Sequence, residues 1–370
     1  MSDTLTVAHA TAATAAARAP EPDAADERRE RIRAALQKVT HPVTVNPLVV
    51  SLGILSWVAV AAVSAFVPDH PQLPLRDAQY IDRANPASIV IALLVAATWA
   101  VLWALSRTHG RVGAWTYERV AHGAAWLLGS GVFFLFWIFS TSKTLLFSPP
   151  YLIAPQEILE RLWDSRGILG HSLGNSLLLL STGFVVGLIA GLATGVVIGW
   201  YQVANYWVHP ILVFIGPVPA LAWVPIVFVL SPSSFAGAVF MIALSVWFPI
   251  TVLTRAGILS APRSYFDVAQ TLGAGSWFLV FRVSLPAALP SIFTGAFMAL
   301  GSAFATLVVA ENFGVNSGLG YFLNWKKSFG DFPGLYAGII VLIVVCGLAL
   351  TLLFRIRNYV LRWEKELTRW

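Results

Sequence analysis

Charge is what this chain has least of. Only 11% of its 370 residues are Asp, Glu, Lys or Arg, against about 25% in an ordinary soluble domain; 57% are hydrophobic and the mean hydropathy is +0.73. That balance excludes a water-soluble globule. Cysteine is nearly absent too: Cys346 stands alone inside an apolar run, so the chain can build neither a disulfide framework nor a cysteine metal site. No Gly-x-x-x-x-Gly-Lys-Ser/Thr run occurs, and Lys143-Thr144 lacks the glycines, so nucleotide phosphates are not cradled here in the P-loop manner. His-Glu-x-x-His, Gly-x-Ser-x-Gly and clustered carboxylates are also missing, which leaves enzyme readings without a reacting group and metal readings without ligands. The apolar runs hold almost no ionisable residues, whereas a proton-coupled carrier keeps Asp, Glu or His near mid-membrane. Any driven transport must therefore take its energy from a gradient or from a second protein.

What is there in quantity is long apolar sequence. Runs at about 48–67, 88–105, 123–146, 175–200, 208–230, 235–258, 291–310 and 335–354 each approach the ~20 residues that a ~30 Å hydrocarbon core requires. They are continuous rather than alternating in short segments, so helices and not barrel strands are expected. The fold predicted is an all-α integral membrane protein, a polytopic bundle of about eight transmembrane helices. Ahead of it lies an Ala- and Thr-rich tail, residues 1–46, with a charged stretch from Asp26 to Lys38 that reads as a short solvated helix. No basic segment leads into an apolar core near Met1, so a cleaved signal peptide is not expected.

The net charge of +6 reads as topology rather than as a nucleic-acid patch, because the basic residues flank the apolar runs. With the amino terminus inside and every run crossing, 17 of the 24 Lys and Arg fall on the cytoplasmic side and 7 outside. The asymmetry places both termini in the cytoplasm of a plasma or inner membrane. The short link at Tyr201–Asn205 carries no basic residue, and its side follows from parity alone.

Several local patterns stand out. Ala154–Trp163 places Ile158, Leu159, Leu162 and Trp163 on one helical face and Glu157, Glu160 and Arg161 on another, the spacing of an amphipathic helix at the outer interface. Gly183, Gly187, Gly191, Gly195 and Gly199 recur every fourth residue; that smooth face lets a second backbone approach closely, within the chain or from another copy. Pro217, Pro219 and Pro225 predict a kinked or unwound span. Irregular backbone at membrane depth is tolerated where protein buries it or where it lines a watery cavity, so these prolines are candidates for the translocation path. Glu311 and Asn312, at the outer end of a span, read either as a solvated helix end or as a gate. His171 and His209 lack ligand spacing and are expected at the interface. Lys326 and Lys327 read as solvated loop charges or as attractors of anions.

Between two apolar runs lies a polar island of roughly thirty residues, about 260–289. It holds Asp267-Val-Ala-Gln-Thr-Leu-Gly273 and, nine residues later, Val283-Ser-Leu-Pro286. It has helix-forming patches and no means of burying them alone. Asp267 can stand at a helix start, where the dipole favours a carboxylate; Gly273 permits a sharp turn, and Pro286 stops the segment before the next span.

These residues resemble the cytoplasmic signature of ABC importer permeases: Glu-Ala-Ala, three residues, Gly, nine residues, Ile-x-Leu-Pro. Asp267, Val268 and Ala269 take the first places, Gly273 the glycine, and Val283, Leu285 and Pro286 the end. Asp for Glu and two valines, for Ala and Ile, are the departures. Ala287-Ala-Leu-Pro290, Val309-Ala-Glu311 and Ser317-Gly-Leu-Gly320 further resemble the nitrate, sulfonate, taurine and bicarbonate branch.

The resemblance implies a six-span type I permease over 121–370, preceded by two extra spans in 47–120. It implies two ABC ATPase subunits that bind the ATP and Mg, an external binding protein, and a second permease copy, most simply a homodimer. It implies no cofactor in this chain, no nucleic acid, lipid all around, and a small anionic solute. In this picture Asp267, Val268, Ala269, Gly273, Val283, Leu285 and Pro286 couple the permease to ATP hydrolysis. The alternatives are a secondary transporter with no ATPase partner and a non-transporting ATPase-linked scaffold or sensor; co-purification of an ATPase through the island separates them.

Overall fold

The structure is a computed structural model that describes residues 46–70, 78–108, 110–147, 150–216 and 218–363. The tail, with its Asp26–Lys38 stretch, and Pro217 lie outside the described residues. Every regular element among those described is helical.

By compactness the chain divides into two units, 1–68 with 89–137 and 69–88 with 138–370. The first unit is built from α1 (Pro47–Phe66), most of α2 (Ala78–Leu105) and α3 (Arg111–Ile138). Asn46 caps α1 by accepting from the Leu48 N–H at 3.0 Å, and Trp57 Nε1 donates to the Leu127 carbonyl at 3.2 Å. Val50, Val120 and Ala124 form its buried centre. The helix Arg111–Ile138, which overlaps the run read from sequence at about 123–146, is compact with the two spans before it. By compactness the division falls after Trp137.

The second unit continues α3 through a π-helical turn, Phe139–Lys143, into α4 (Pro155–Asp164), α5 (Arg166–Trp200), α6 (Gln202–Ile215), a 3₁₀ turn Ala220–Trp223, α7 (Val224–Leu230) and α8 (Ser234–Leu259). Then come α9 (Arg263–Thr271), a lead-in of Ser276–Phe278 and π-helical Leu279–Ser284, α10 (Leu285–Ala310), π-helical Glu311–Val315, α11 (Leu319–Ser328) and α12 (Phe332–Val360). Its core joins α5, α8 and α10 through Leu179, Ile242, Val246, Ile250, Ala299, Ala303 and Leu307. Among the described residues, seven helices are long and apolar enough to cross a membrane, and α6 with the segment Ala220–Leu230 forms an eighth candidate bent by 88°.

The glycine stripe decides that count. A methyl group added at Gly183 would lie 2.7 Å from Ile242 Cβ, at Gly191 2.8 Å from Ile250 Cβ, and at Gly195 2.6 Å from Thr254 Cβ. At Gly187 it would meet the Ala243 carbonyl oxygen at 2.5 Å, and at Gly199 Ile258 Cβ at 3.1 Å. The partners also recur every fourth residue, as Ile242, Val246, Ile250, Thr254 and Ile258, and all are β-branched. Rigid β-branched knobs therefore fill glycine holes along some ~24 Å of helix, at 1.5 Å per residue, and the contact is within the chain. Both series ascend together, so α5 and α8 run parallel. A parallel pair requires the intervening chain to return to the starting end, so α6 and α7 return as one broken span, which makes eight candidate crossings among the described residues.

Candidate functional site

The island lies at the end where α5 and α8 finish. Trp200, the last residue of α5, packs on Phe266 of α9 with centroids 6.1 Å apart. At the same end Arg255 Nε donates to Asn205 Oδ1 at 2.8 Å. That bond ties the Tyr201–Asn205 link, whose side parity alone predicts, to the basic end of α8.

Pro262 has its φ fixed by the ring and opens α9 at Arg263. The helix thus begins ahead of the motif, and Asp267 falls in the second turn, not at the helix start where the dipole would act. No residue of α9 is buried. Gly273 closes it with φ +81°, its N–H donating to the Gln270 carbonyl at 2.9 Å while the Ala274 N–H reaches the Ala269 carbonyl at 3.0 Å. A side chain at Gly273 would meet nothing within 4 Å, so the glycine is required by backbone conformation and not by space.

Beyond the turn, Trp277 and Phe281 stack at 5.6 Å with both rings exposed, and Val268 and Leu272 are exposed as well. An apolar ridge flanked by Asp267, Arg263 and Arg282 is left uncovered by the described chain. Pro286 does not stop the helix as the sequence suggests; a continuous helical rod runs from Ser276 to Val315. The π turn before it explains this. The Leu285 N–H already bonds five residues back, to Val280, which shifts the carbonyls that the proline ring would otherwise strike.

Mid-way along the broken span is a cavity of about 410 Å³, lined by the segment from Ile215 to Trp223 with α8 and α10. Pro219 lines it; Pro225 opens α7 and is exposed, outside the lining. Glu311 and Asn312 are not part of it. Glu311 is 1% exposed, neither a solvated helix end nor open to a path. Ser176 Oγ donates to its Oε1 at 2.5 Å and the Gly320 N–H to its Oε2 at 2.6 Å, while Ser176 Oγ accepts from the Leu319 N–H at 2.8 Å. Gly318, at φ +101°, wraps so tightly that a Cβ there would meet the carboxylate at 2.2 Å. This cage binds α5, α10 and the turn into α11, joining two motifs that stand apart in the sequence. Asn312 Nδ2 donates back to the Val308 carbonyl at 2.9 Å.

Nearby, Asp331 caps α12 by accepting from the Gly334 N–H at 3.1 Å and pairs with Lys326 Nζ at 2.8 Å and Arg161 Nε at 3.3 Å. Burial pushes its carboxyl up, but the Lys326 hydrogen bond, the Gly334 N–H and the charges of Arg161 and Lys326 outweigh this and hold it below the usual carboxylate range. Lys326 is therefore a structural ion-pair partner, and Lys327 remains exposed. In α4 the buried set is Pro155, Gln156, Glu157 and Ile158, while Trp163 is exposed. Both faces of the helix therefore meet the protein: Ile158 is buried, Leu162 packs on Leu169, Leu319 and Phe322, and Gln156 donates to Ser142 Oγ.

Among relatives, the formylaminopyrimidine transport permease of Halalkalibacterium halodurans is 30% identical over 62% of this chain and 92% of its own length. Residues 183–363 match the family described as binding-protein-dependent transport system inner membrane component. The chain belongs to that family. It is the permease component of an ABC importer, a family whose transport systems depend on a binding protein. The taurine transport system permease of Escherichia coli is 28% identical over 63% of the permease and 86% of its own length. The bicarbonate transport system permease of Synechococcus elongatus is 29% identical over 62% and 85%. Among solved structures, an inward-facing MetNI methionine ABC transporter overlaps 53% of the permease and 98% of its own chain, with 17% identity and a TM-score of 0.47.

Sequence reasoning missed Ser176, Asp331 and the hydroxyls of the cavity wall. Ser176 carried a usable signal: it stands seven residues before Gly183, on the face that the glycine stripe buries.

Proposed function

We propose that the island from Asp267 to Pro286 is the coupling segment through which a separate ATPase drives this permease. One observation carries the reading. A helix with no buried residue, closed by a left-handed glycine and followed by a stacked, exposed Trp277–Phe281 pair, joins two helices long and apolar enough to cross a membrane. Exposed aromatic area of this kind beside charge fits a protein groove.

In the proposed assembly two copies of the permease sit in the inner membrane with both termini cytoplasmic. Two ATPase subunits hold ATP and Mg and grip Val268, Ala269, Val283, Leu285 and the neighbouring apolar ridge. Asp267 pairs with a basic residue of the ATPase. Closure of the ATPases moves the island as a rigid body. The motion enters α8 on one side and the Ser276–Val315 rod on the other, and the knob-and-hole contact makes α5 follow α8. The broken span of α6 and α7, with Pro217, Pro219 and Pro225, then opens alternately to the two sides. Glu311 and Asn312 serve at the outer end as the fixed clasp against which that gate works. An external binding protein delivers the solute, which falls in the range its relatives define: a sulfonate, taurine, bicarbonate, or a pyrimidine.

Gly273→Val tests the coupling. A β-branched residue at φ +81° is strained wherever it points, while membrane insertion does not depend on it. In proteoliposomes with the partner ATPase and binding protein, uptake should fall at least tenfold while ATP hydrolysis persists. Unchanged uptake would refute the assignment.

A further inference from the structure

The turn between α2 and α3 carries cations that the protein does not neutralise. Arg107 lies just past α2, Arg111 opens α3 and Arg119 follows two turns later; all three are exposed. No carboxylate pairs with any of them among the described residues. Glu118 stands beside Arg119 and bonds neither α3 arginine; its backbone carbonyl lies 2.8 Å from His122 Nδ1. Helix stability does not account for Arg111 either, since the macrodipole disfavours a cation at a helix start and no acidic residue shares that turn.

Two of the guanidinium groups rest on indoles. Arg107 Cζ is 4.4 Å from the Trp103 ring centroid, and Arg119 Cζ is 3.9 Å from that of Trp115. Trp115 is one turn nearer the helix start, so the Arg119 side chain runs back toward the α2–α3 turn, the direction in which a cation snorkels to the membrane surface. Stacking occupies the flat face of a guanidinium and leaves its five N–H donors around the edge. Arg119 gives none of those donors to another group among the described residues. Sidedness of charge alone orients a membrane protein; it asks for neither an indole beneath the charge nor a fork of donors held in one plane.

The four-residue spacing of Arg111, Trp115 and Arg119 places them on one face of α3, opposite the buried Thr116, Val120 and Ala124. Further along that face come Trp126, which is 81% exposed, and Gly129, where an added Cβ would meet nothing within 4 Å. At 1.5 Å per residue these lie about 10 and 15 Å beyond Arg119, within the ~15 Å that one leaflet contributes to the hydrocarbon core. Along one face the order is thus cations, an indole, then an exposed apolar ring beside an open glycine. A phospholipid has the same order of phosphate, glycerol and acyl chain. A free anion would use only the first part, and a soluble protein cannot follow a helix face into hydrocarbon.

We infer that this face of α3 is a binding site for an anionic glycerophospholipid. The edge N–H groups of Arg119 and Arg111 take the headgroup phosphate, the bidentate pairing that a guanidinium makes with phosphate oxygens. Arg107 adds positive charge across the turn, and an acyl chain runs past Trp126 to the gap at Gly129. Juxtamembrane arginines draw anionic lipid by charge; here the indole also fixes where the guanidinium stands. Only the choice of leaflet, the cytoplasmic one, rests on the orientation proposed above.

Native mass spectrometry of the full-length permease tests this, with the protein released from neutral detergent that contains equal amounts of phosphatidylglycerol and phosphatidylcholine of the same acyl chains. Phosphatidylglycerol should be retained at least about fivefold more than phosphatidylcholine. Arg111→Gln and Arg119→Gln should each cut that preference about threefold or more. Arg119→Lys, which keeps the charge and loses the planar fork, should fall with Arg119→Gln and not with the wild type. Arg357→Gln, which removes an exposed arginine near the end of α12, should leave the preference within about twofold. Glycerol phosphate in large excess should not displace the lipid. Equal retention of the two lipids, wild-type preference in Arg119→Gln or Arg119→Lys, an equal loss in Arg357→Gln, or displacement by glycerol phosphate would overturn the inference. The positions replaced are exposed, so the variants keep the fold. No ATPase or uptake enters this measurement, so its failure is distinct from a failure of coupling, which Gly273→Val reads separately.

Discussion

At the scale of single residues, Glu311 shows how a carboxylate is kept deep in an apolar protein: every donor it meets is fixed by backbone or by a short side chain. Glu311→Ala strands Ser176 Oγ and the Gly320 N–H, and an unsatisfied buried group costs about 1–3 kcal/mol. The variant should melt below wild type in detergent by several degrees, and Glu311→Gln, which keeps an acceptor for Ser176, should fall less. Gly318→Ala should cost at least as much as Glu311→Ala, since it adds a clash with the carboxylate to a left-handed backbone. The Asp331 carboxyl, lowered in the folded state, stabilises by being ionised. Its contribution is complete above the unfolded value, about 3.9, and is lost as pH falls through the folded one. Melting temperature should thus drop more steeply for wild type than for Asp331→Asn as pH is taken from 5 to 3. The pairing of Ser176 with Glu311 was not legible in sequence, because the two are 135 residues apart and only the return of α10 towards the start of α5 brings them together.

At the scale of elements, the α5–α8 pair is the rigid part of the machine. Gly187→Val would push a branched side chain into the Ala243 carbonyl and Val246, and overpacking of this kind costs about 1–3 kcal/mol before any rearrangement. Lower yield of folded protein and a lower melting temperature are expected. Gly174→Ala is the internal control: a Cβ there meets nothing within 4 Å, and the effect should stay within about 0.5 kcal/mol. The four-residue glycine period was plain in the sequence. Its partner was not, since Ile242, Val246, Ile250, Thr254 and Ile258 are β-branched residues in a run already full of them. The prolines told a similar half: they announced a break near Pro217–Pro225, while the 88° bend and the cavity beside it depend on what α8 and α10 place opposite.

At the scale of the whole molecule, the eight-crossing topology makes a simple demand on accessibility. With Cys346 replaced by serine, Leu272→Cys and Phe329→Cys each supply a single, highly exposed thiol. In intact cells a membrane-impermeant maleimide should label the second and leave the first until the membrane is opened; the reverse pattern would invert the topology. The sequence by itself determined the class, the spans and the island, and it predicts their orientation, because hydrophobic length, the sidedness of Lys and Arg, and a local spaced motif are all one-dimensional signals. Only the tertiary structure decided that the glycine stripe closes on α8 within the chain, that α6 and α7 make one crossing, that Glu311 is clasped and not exposed, and that the cavity beside the broken span is lined without Lys, Arg or His. Those outcomes depend on which residues meet across helices, and a chain that is apolar nearly everywhere does not encode pairing in its pattern of hydrophobicity.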